Sequence, residues 1–179
     1  MRVLLTVASR HGATQEIAEV LAGELATEGL RVEIAEPASV TSVAGYDAVV
    51  LGSGVYMGRW LPAARDLAAR CAEELRERPV WLFSSGPVGD PPKPAVGEPA
   101  DVPELIAETA ALGHQLFAGR LERRRLRGGE RAVVGMTRAA EGDFRDWDAV
   151  RAWGAAIRAE LLPGRAGRAP GDHPEAPTV

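Results

Sequence analysis

Val3-Leu4-Leu5-Thr6-Val7-Ala8-Ser9-Arg10-His11-Gly12-Ala13-Thr14 passes from a continuous apolar run, through small and hydroxyl-bearing residues, into a helix-patterned segment. The run Val3 to Val7 suits a strand buried on both faces. The loop Ser9 to Thr14 presents backbone N–H groups, hydroxyls and the positive end of a helix dipole to an anion, so it reads as a phosphate cradle. The same residue types also serve a plain strand-to-helix turn with a helix cap, and the residues alone leave both readings open. No G-x-G-x-x-G follows the strand and no G-K-[ST] occurs there, which disfavours a Rossmann dinucleotide and a P-loop nucleoside triphosphate.

Beyond that stretch, Ile17, Val20, Leu21 and Leu25 recur at helical spacing until Gly29, completing one strand–helix unit. Arg31 to Ala35 alternates as a second strand. Ala48-Val49-Val50-Leu51 makes a third after the turn-prone Ala44-Gly45-Tyr46-Asp47. The stripe Leu61, Ala64, Leu67, Ala68, Cys71, Leu75 predicts one helix ending before Pro79, with Pro62 tolerated in its first turn. Val80-Trp81-Leu82-Phe83 is a fourth strand, followed by the Gly/Pro-rich Ser84 to Pro99, a helix from about Pro103 to Leu112, and a last strand from Gln115 to Leu121. Glu122 to Glu141 fits no element clearly. Asp146 is placed to cap a final helix whose Trp147, Val150, Trp153, Ile157 and Leu161 share one core face. This alternation predicts an α/β fold with a five-stranded parallel sheet in the order 2-1-3-4-5 and helices on both faces. In that order the ligand crevice opens at the C-terminal ends of strands 1 and 3.

A chain of 179 residues, 46% hydrophobic, is the size of one domain with a substantial core, expected over residues 1–162. Residues 163–179 are dominated by Pro, Gly, Ala and charge and are expected to be a disordered tail. A net charge of -4 gives no electrostatic reason to expect nucleic acid as a partner. The single cysteine, Cys71, excludes an intrachain disulfide framework and a Cys-rich metal site, and its helical position marks a small core residue. With no charged leader and no apolar run long enough for a bilayer, a cytoplasmic soluble protein is expected.

The segment after the third strand, Gly52-Ser53-Gly54-Val55-Tyr56-Met57-Gly58-Arg59-Trp60, combines glycines that admit close backbone approach with Tyr56, Met57 and Trp60 as flat or polarisable surfaces. Such aromatics also cover sheet edges, but their clustering at the crevice favours a planar ring ligand. After the fourth strand, Ser84-Ser85-Gly86-Pro87-Val88-Gly89-Asp90 can offer backbone N–H groups to the polar edge of a ring, or form an ordinary turn. A phospho-receiver site of the same topology needs clustered acids at these strand ends, where this chain has Ser9, Arg10, Gly52 and Ser53.

The series Ser9-x-x-Gly12-x-Thr14, then Gly52 to Trp60, then Phe83 to Gly89 resembles flavodoxin-domain proteins. It is similar in particular to the branch containing menaquinone-dependent protoporphyrinogen IX dehydrogenase. Phe117-Ala118-Gly119-Arg120-Leu121 and Gly142-Asp143-Phe144-Arg145-Asp146-Trp147 add to the likeness, which covers residues 1–162. The resemblance implies a flavodoxin-like three-layer sandwich that binds FMN. Ser9, Arg10, His11, Gly12, Ala13 and Thr14 would then hold the phosphate. Ser53, Gly54, Val55, Tyr56, Met57 and Gly58, with Ser84, Ser85, Gly86, Pro87, Val88, Gly89 and Asp90, would flank the isoalloxazine. It further implies electron flow from a porphyrinogen through FMN to a membrane quinone or, in the carrier alternative, between redox-partner proteins. The flavin carries that chemistry, so His11, His114 and His173 are not nominated as acids or bases, and no metal is implied. The low net charge, Arg10, Arg59 and the arginine run argue against the carrier, whose docking relies on carboxylates. The run Arg123-Arg124-Arg125-Leu126-Arg127 suits anionic lipid or porphyrin carboxylates, and equally a solvated connection.

Overall fold

The computed structural model describes residues 1–86, 98–122 and 141–162. Strand β1 (Arg2–Ala8) leads into helix α1 (Ala13–Leu25), strand β2 (Arg31–Ala35), a short 3-10 turn (Pro37–Ser39) and strand β3 (Ala48–Tyr56). Then come β4 (Arg59–Trp60), α2 (Pro62–Arg70), α3 (Ala72–Arg76), β5 (Val80–Ser85), α4 (Val102–Thr109), β6 (Gly113–Phe117), β7 (Arg120–Leu121), β8 (Gly142–Asp143) and α5 (Trp147–Leu161). The main sheet runs β2-β1-β3-β5-β6, all parallel, with β4 folded back antiparallel on β3. These five parallel strands follow the expected order 2-1-3-4-5, since β4 is only the return arm of a hairpin.

Strand alternation sorts the core into two layers. Val3, Leu5 and Val7 of β1, Ala48 and Val50 of β3, and Trp81 and Phe83 of β5 pack with Ile17, Leu21, Val150 and Ile157 of α1 and α5. Their neighbours Leu4, Val49, Leu51, Val80 and Leu82 pack on the other face against Leu67, Cys71, Leu75 and Leu105 of the α2–α4 layer. Apolar residues on both faces explain why these strands read as continuous runs rather than alternating ones. Cys71 lies in the core at 2% exposure, and burial pushes its thiol pKa up, as suits a small packed residue.

Several boundaries differ from the sequence reading. β3 continues past Leu51 because Gly52, Ser53 and Gly54 pair with Phe83, Ser84 and Ser85, so residues that look like a loop extend the ladder. The helix predicted from Leu61 breaks at Cys71 (φ -108, ψ 17) into α2 and α3. α1 ends at Leu25, and Gly29 (φ 102) serves the turn into β2 instead. α4 starts at Val102 and stops at Thr109 because Ala110 adopts a left-handed conformation (φ 53). The predicted last strand splits into β6 and β7, and β7 leaves the sheet to pair with β8. Asp146 caps α5, its Oδ1 accepting from the N–H groups of Asp148 and Ala149. The stretches 123–140 and 163–179, including the arginine run and the expected tail, lie outside the described residues, as do Pro87, Val88, Gly89 and Asp90.

Candidate functional site

The turn leaving β1 is built around Gly12, which holds φ 85 at the N-cap of α1 and makes no side-chain cap bond. The Ser9 Oγ accepts the Gly12 N–H at 3.1 Å, folding the turn back on itself. The first-turn N–H groups of a 13-residue helix therefore point past its end with no capping side chain across them, the arrangement that binds anions. Thr14, in that first turn, is 4% exposed.

The second turn meets the first. A Cβ on Gly54 would stand 3.1 Å from Thr14 Oγ1, 3.3 Å from Tyr56 Cε2 and 3.8 Å from the Ala8 carbonyl oxygen, so glycine lets the end of β3 press against the cradle. The Arg10 guanidinium lies 4.8 Å from the Tyr56 ring centroid, and the His11 and Tyr56 rings are 6.1 Å apart. Met57 (φ 51) and Gly58 (φ 76) form the tight turn that joins β3 to β4, leaving Met57 93% exposed at its tip. The third turn closes on the second: a Cβ on Gly86 would come within 2.8 Å of Val55 Cβ, and the Gly86 N–H donates to the Phe117 carbonyl. The described parts of all three turns thus meet at the C-terminal ends of β1, β3 and β5.

Not every candidate side chain faces that place. Ser53 is fully buried, with its hydroxyl donating to the Gly54 carbonyl and accepting from Leu61 N–H. Trp60, expected from its aromatic character to offer a flat surface to a ring, is 2% exposed in the α2–α4 core layer. Its indole N–H donates to Ser84 Oγ at 2.7 Å, and its backbone N–H donates to the buried Asp101 carboxylate. Ser84, also fully buried, is 2.8 Å from His114 Nε2, while His114 Nδ1 lies 3.1 Å from Glu98 Oε1. With Nδ1–H donating to Glu98, Nε2 accepts the Ser84 hydroxyl, and the chain Trp60–Ser84–His114–Glu98 is saturated. The Ser53 and Ser84 hydroxyls therefore tie the strand ends together from within.

Burial holds the His114 pKa below its ordinary 6.5, outweighing the opposing pull of Glu98. Below that ordinary value an unfolded chain takes up a proton that the fold resists, so stability should fall as pH drops from 6.5 towards the lower folded value. Urea midpoints measured between about pH 7.5 and pH 5 should show this slope, and His114→Gln should remove the histidine's share of it.

Behind the cradle is a cluster that the sequence reading assigned no role. Glu16, in the first turn of α1, receives Arg120 in a bidentate pair at 2.9 and 2.7 Å and Arg145 Nη1 at 2.9 Å. Arg145, with its side chain 2% exposed, also donates to the Ala13 carbonyl and to both oxygens of Asp143, and its guanidinium lies 4.3 Å from the Trp147 ring centroid. Burial raises the Glu16 pKa, but the two arginines together bring it below the ordinary carboxylate value. The hydrogen bond from Arg145 likewise holds the Asp143 carboxyl low. The signal available in the sequence was the pair of stretches Phe117 to Leu121 and Gly142 to Trp147, which contain both arginines.

The flavodoxin domain family pattern matches residues 4–148 of this chain. The chain belongs to the flavodoxin domain family. Among curated proteins, this flavodoxin domain is similar to protoporphyrinogen IX dehydrogenase [quinone] of Escherichia coli, strain K12, and to the protein of that name in Escherichia coli O157:H7. Each is 28% identical over 95 residues, covering 52% of this chain and 52% of the relative. The chain thus spans about half the length of the curated relatives it matches. Among solved structures, a flavodoxin from the domain Archaea superposes with TM-score 0.60 at 12% identity, covering 90% of this chain and 99% of that one. Oxidised flavodoxin 1 from Bacillus cereus gives TM-score 0.60 at 17% identity, covering 93% and 100%. These two likenesses show the fold.

FMN is the cofactor that membership of this family indicates. The residues present fit it: an uncapped helix start and a buried threonine suit a phosphate, and glycine-lined turns beside the Tyr56 ring suit a flat heterocycle. Among the described residues no helix is long and apolar enough to cross a membrane, and no group of His, Cys, Asp or Glu is arranged to hold a metal ion.

Proposed function

We propose that this chain is an FMN-dependent oxidoreductase that takes electrons from a reduced substrate of the porphyrinogen class and delivers them to a quinone. In this reading Gly12, Ala13 and Thr14, with Ser9, Arg10 and His11, hold the phosphate. Gly54 to Gly58 and the residues from Ser85 to Asp90 flank the ring. Bound FMN supplies the redox chemistry, and the protein's task is to hold it, shield it and admit the reactants.

The observation that carries the reading is the character of the β3–β4 hairpin tip. Met57 stands almost wholly exposed beside Tyr56, with the Arg10 guanidinium near that ring and the exposed Arg59 on the return arm. An apolar tip flanked by cations suits a flat apolar molecule bearing carboxylates, and a quinone after it. It is poorly suited to a cationic docking surface on a redox protein. The similarity to the Escherichia coli dehydrogenases supports the same class of donor and acceptor.

The test is anaerobic. FMN-loaded protein is reduced by protoporphyrinogen IX or by dithionite, freed of excess reductant, and mixed with menaquinone or with a small redox protein while the flavin absorbance is followed. Reduction by the porphyrinogen and fast reoxidation by menaquinone are expected. Reoxidation by the redox protein alone would make the chain an electron carrier and end the enzyme reading.

A further inference from the structure

The first turn of α1 contains a problem that the rest of the fold solves. A helix N-terminus attracts anions, but Glu16 places a carboxylate within that same turn, where it competes with any phosphate for the positive end of the helix. Like charges at one site repel, so an unpaired Glu16 would oppose a dianionic ligand. Glu16 is not left unpaired. Arg120 takes both of its oxygens and Arg145 takes one of them, while Arg145 Nη1 also reaches the Ala13 carbonyl, one residue from the cradle glycine. Both arginines come from outside the three turns: Arg120 from β7, and Arg145 from the segment between β8 and α5. The paired strands β7 and β8, with the segment that follows β8, therefore act as a brace against the back of the phosphate turn.

We propose that Arg145 and Arg120 are positioning residues for the FMN phosphate, cancelling the Glu16 charge and fixing the first turn of α1 without touching the ligand. Arg145 has the larger part because it adds the Ala13 carbonyl contact and is itself held in place by Asp143 and the Trp147 ring. Arg120 shares the charge cancellation and is more exposed, with Glu122 at 3.1 Å from its Nε. The proposal rests on the cradle being the phosphate site, and it adds which remote residues set its preference for a phosphorylated ligand.

General damage to the fold would affect FMN and riboflavin alike, whereas loss of the brace acts on the phosphate, and removal of the Glu16 charge then separates charge cancellation from mere support of the turn. The readout is therefore the ratio of riboflavin Kd to FMN Kd, measured by flavin fluorescence on apoprotein shown by circular dichroism to be folded. Arg145→Gln should lower that ratio by roughly tenfold, chiefly by weakening FMN. Adding Glu16→Gln to it should restore most of the ratio, because the charge that needed cancelling is gone. Arg120→Gln should lower the ratio by a few fold and provides the test if Arg145→Gln does not fold. An unchanged ratio in these folded variants, or a double variant no better than Arg145→Gln alone, would overturn the proposal while leaving the cradle intact. A parent protein that binds riboflavin as tightly as FMN would overturn the cradle, and the proposal with it.

Discussion

Thr14→Val is expected to weaken FMN binding by roughly 10- to 150-fold while changing riboflavin affinity by no more than about twofold. The exchange keeps the shape of a 4%-exposed side chain and removes only its hydroxyl. That hydroxyl is in the first turn of α1, next to the place where Gly54 brings β3 against the cradle. A hydrogen bond to a charged group contributes about 1.5–3 kcal/mol, and valine has no donor to put in its place. Riboflavin has the same ring and no phosphate, so it reports everything about the variant except the lost contact. Parallel titrations of both flavins check the prediction, and equal weakening of the two would place the hydroxyl elsewhere.

The largest effect on stability is expected from Phe83→Ala. Phe83 is fully buried where β5 crosses the sheet, with its ring 6.0 Å from both Phe117 and Trp153 in edge-on contacts, and those two rings 5.7 Å from each other. This trio joins β5, β6 and α5. Gly52 on the neighbouring strand has no side chain because the Phe83 ring fills the space: a Cβ there would come within 2.2 Å of it. Removing the ring empties a space shaped by three elements, and a buried Phe→Ala change costs about 3–5 kcal/mol. For a chain of this length that corresponds to a fall in Tm of about 6–20 °C by differential scanning calorimetry. A fall of less than about 2 °C would mean that the cluster collapses without cost.

These two residues were legible in the sequence to different degrees. The strand–helix alternation and the small-residue turn after β1 were plain because both are local patterns: an apolar run, a glycine that can hold a positive φ, a hydroxyl, then helical periodicity. The turn after β3 was misread at Ser53 because Gly52-Ser53-Gly54 has the composition of a loop. What makes it strand is pairing with Ala8, Ser84 and Ser85, which no local pattern encodes. The same pairing sends the Ser53 and Ser84 hydroxyls inward, where Ser53 bonds the Gly54 carbonyl and the Leu61 N–H while Ser84 accepts the indole N–H of the buried Trp60, so three polar or aromatic groups that suggest a ligand are satisfied within the fold instead. The charge cluster behind the cradle was out of reach for another reason. Its contacts span 104 residues from Arg120 to Glu16 and 129 from Arg145 to Glu16, and only the fold brings them together.

The central claim is that the turns after β1, β3 and β5 form one site for a phosphorylated flavin. Titrating the purified apoprotein with FMN and, separately, with riboflavin, and following the quenching of flavin fluorescence, tests it most directly. A single saturable site per chain that takes FMN at least about tenfold more tightly than riboflavin is the result predicted from the cradle at Gly12 to Thr14. Failure of folded protein to bind FMN, or equal affinity for the two flavins, would contradict it.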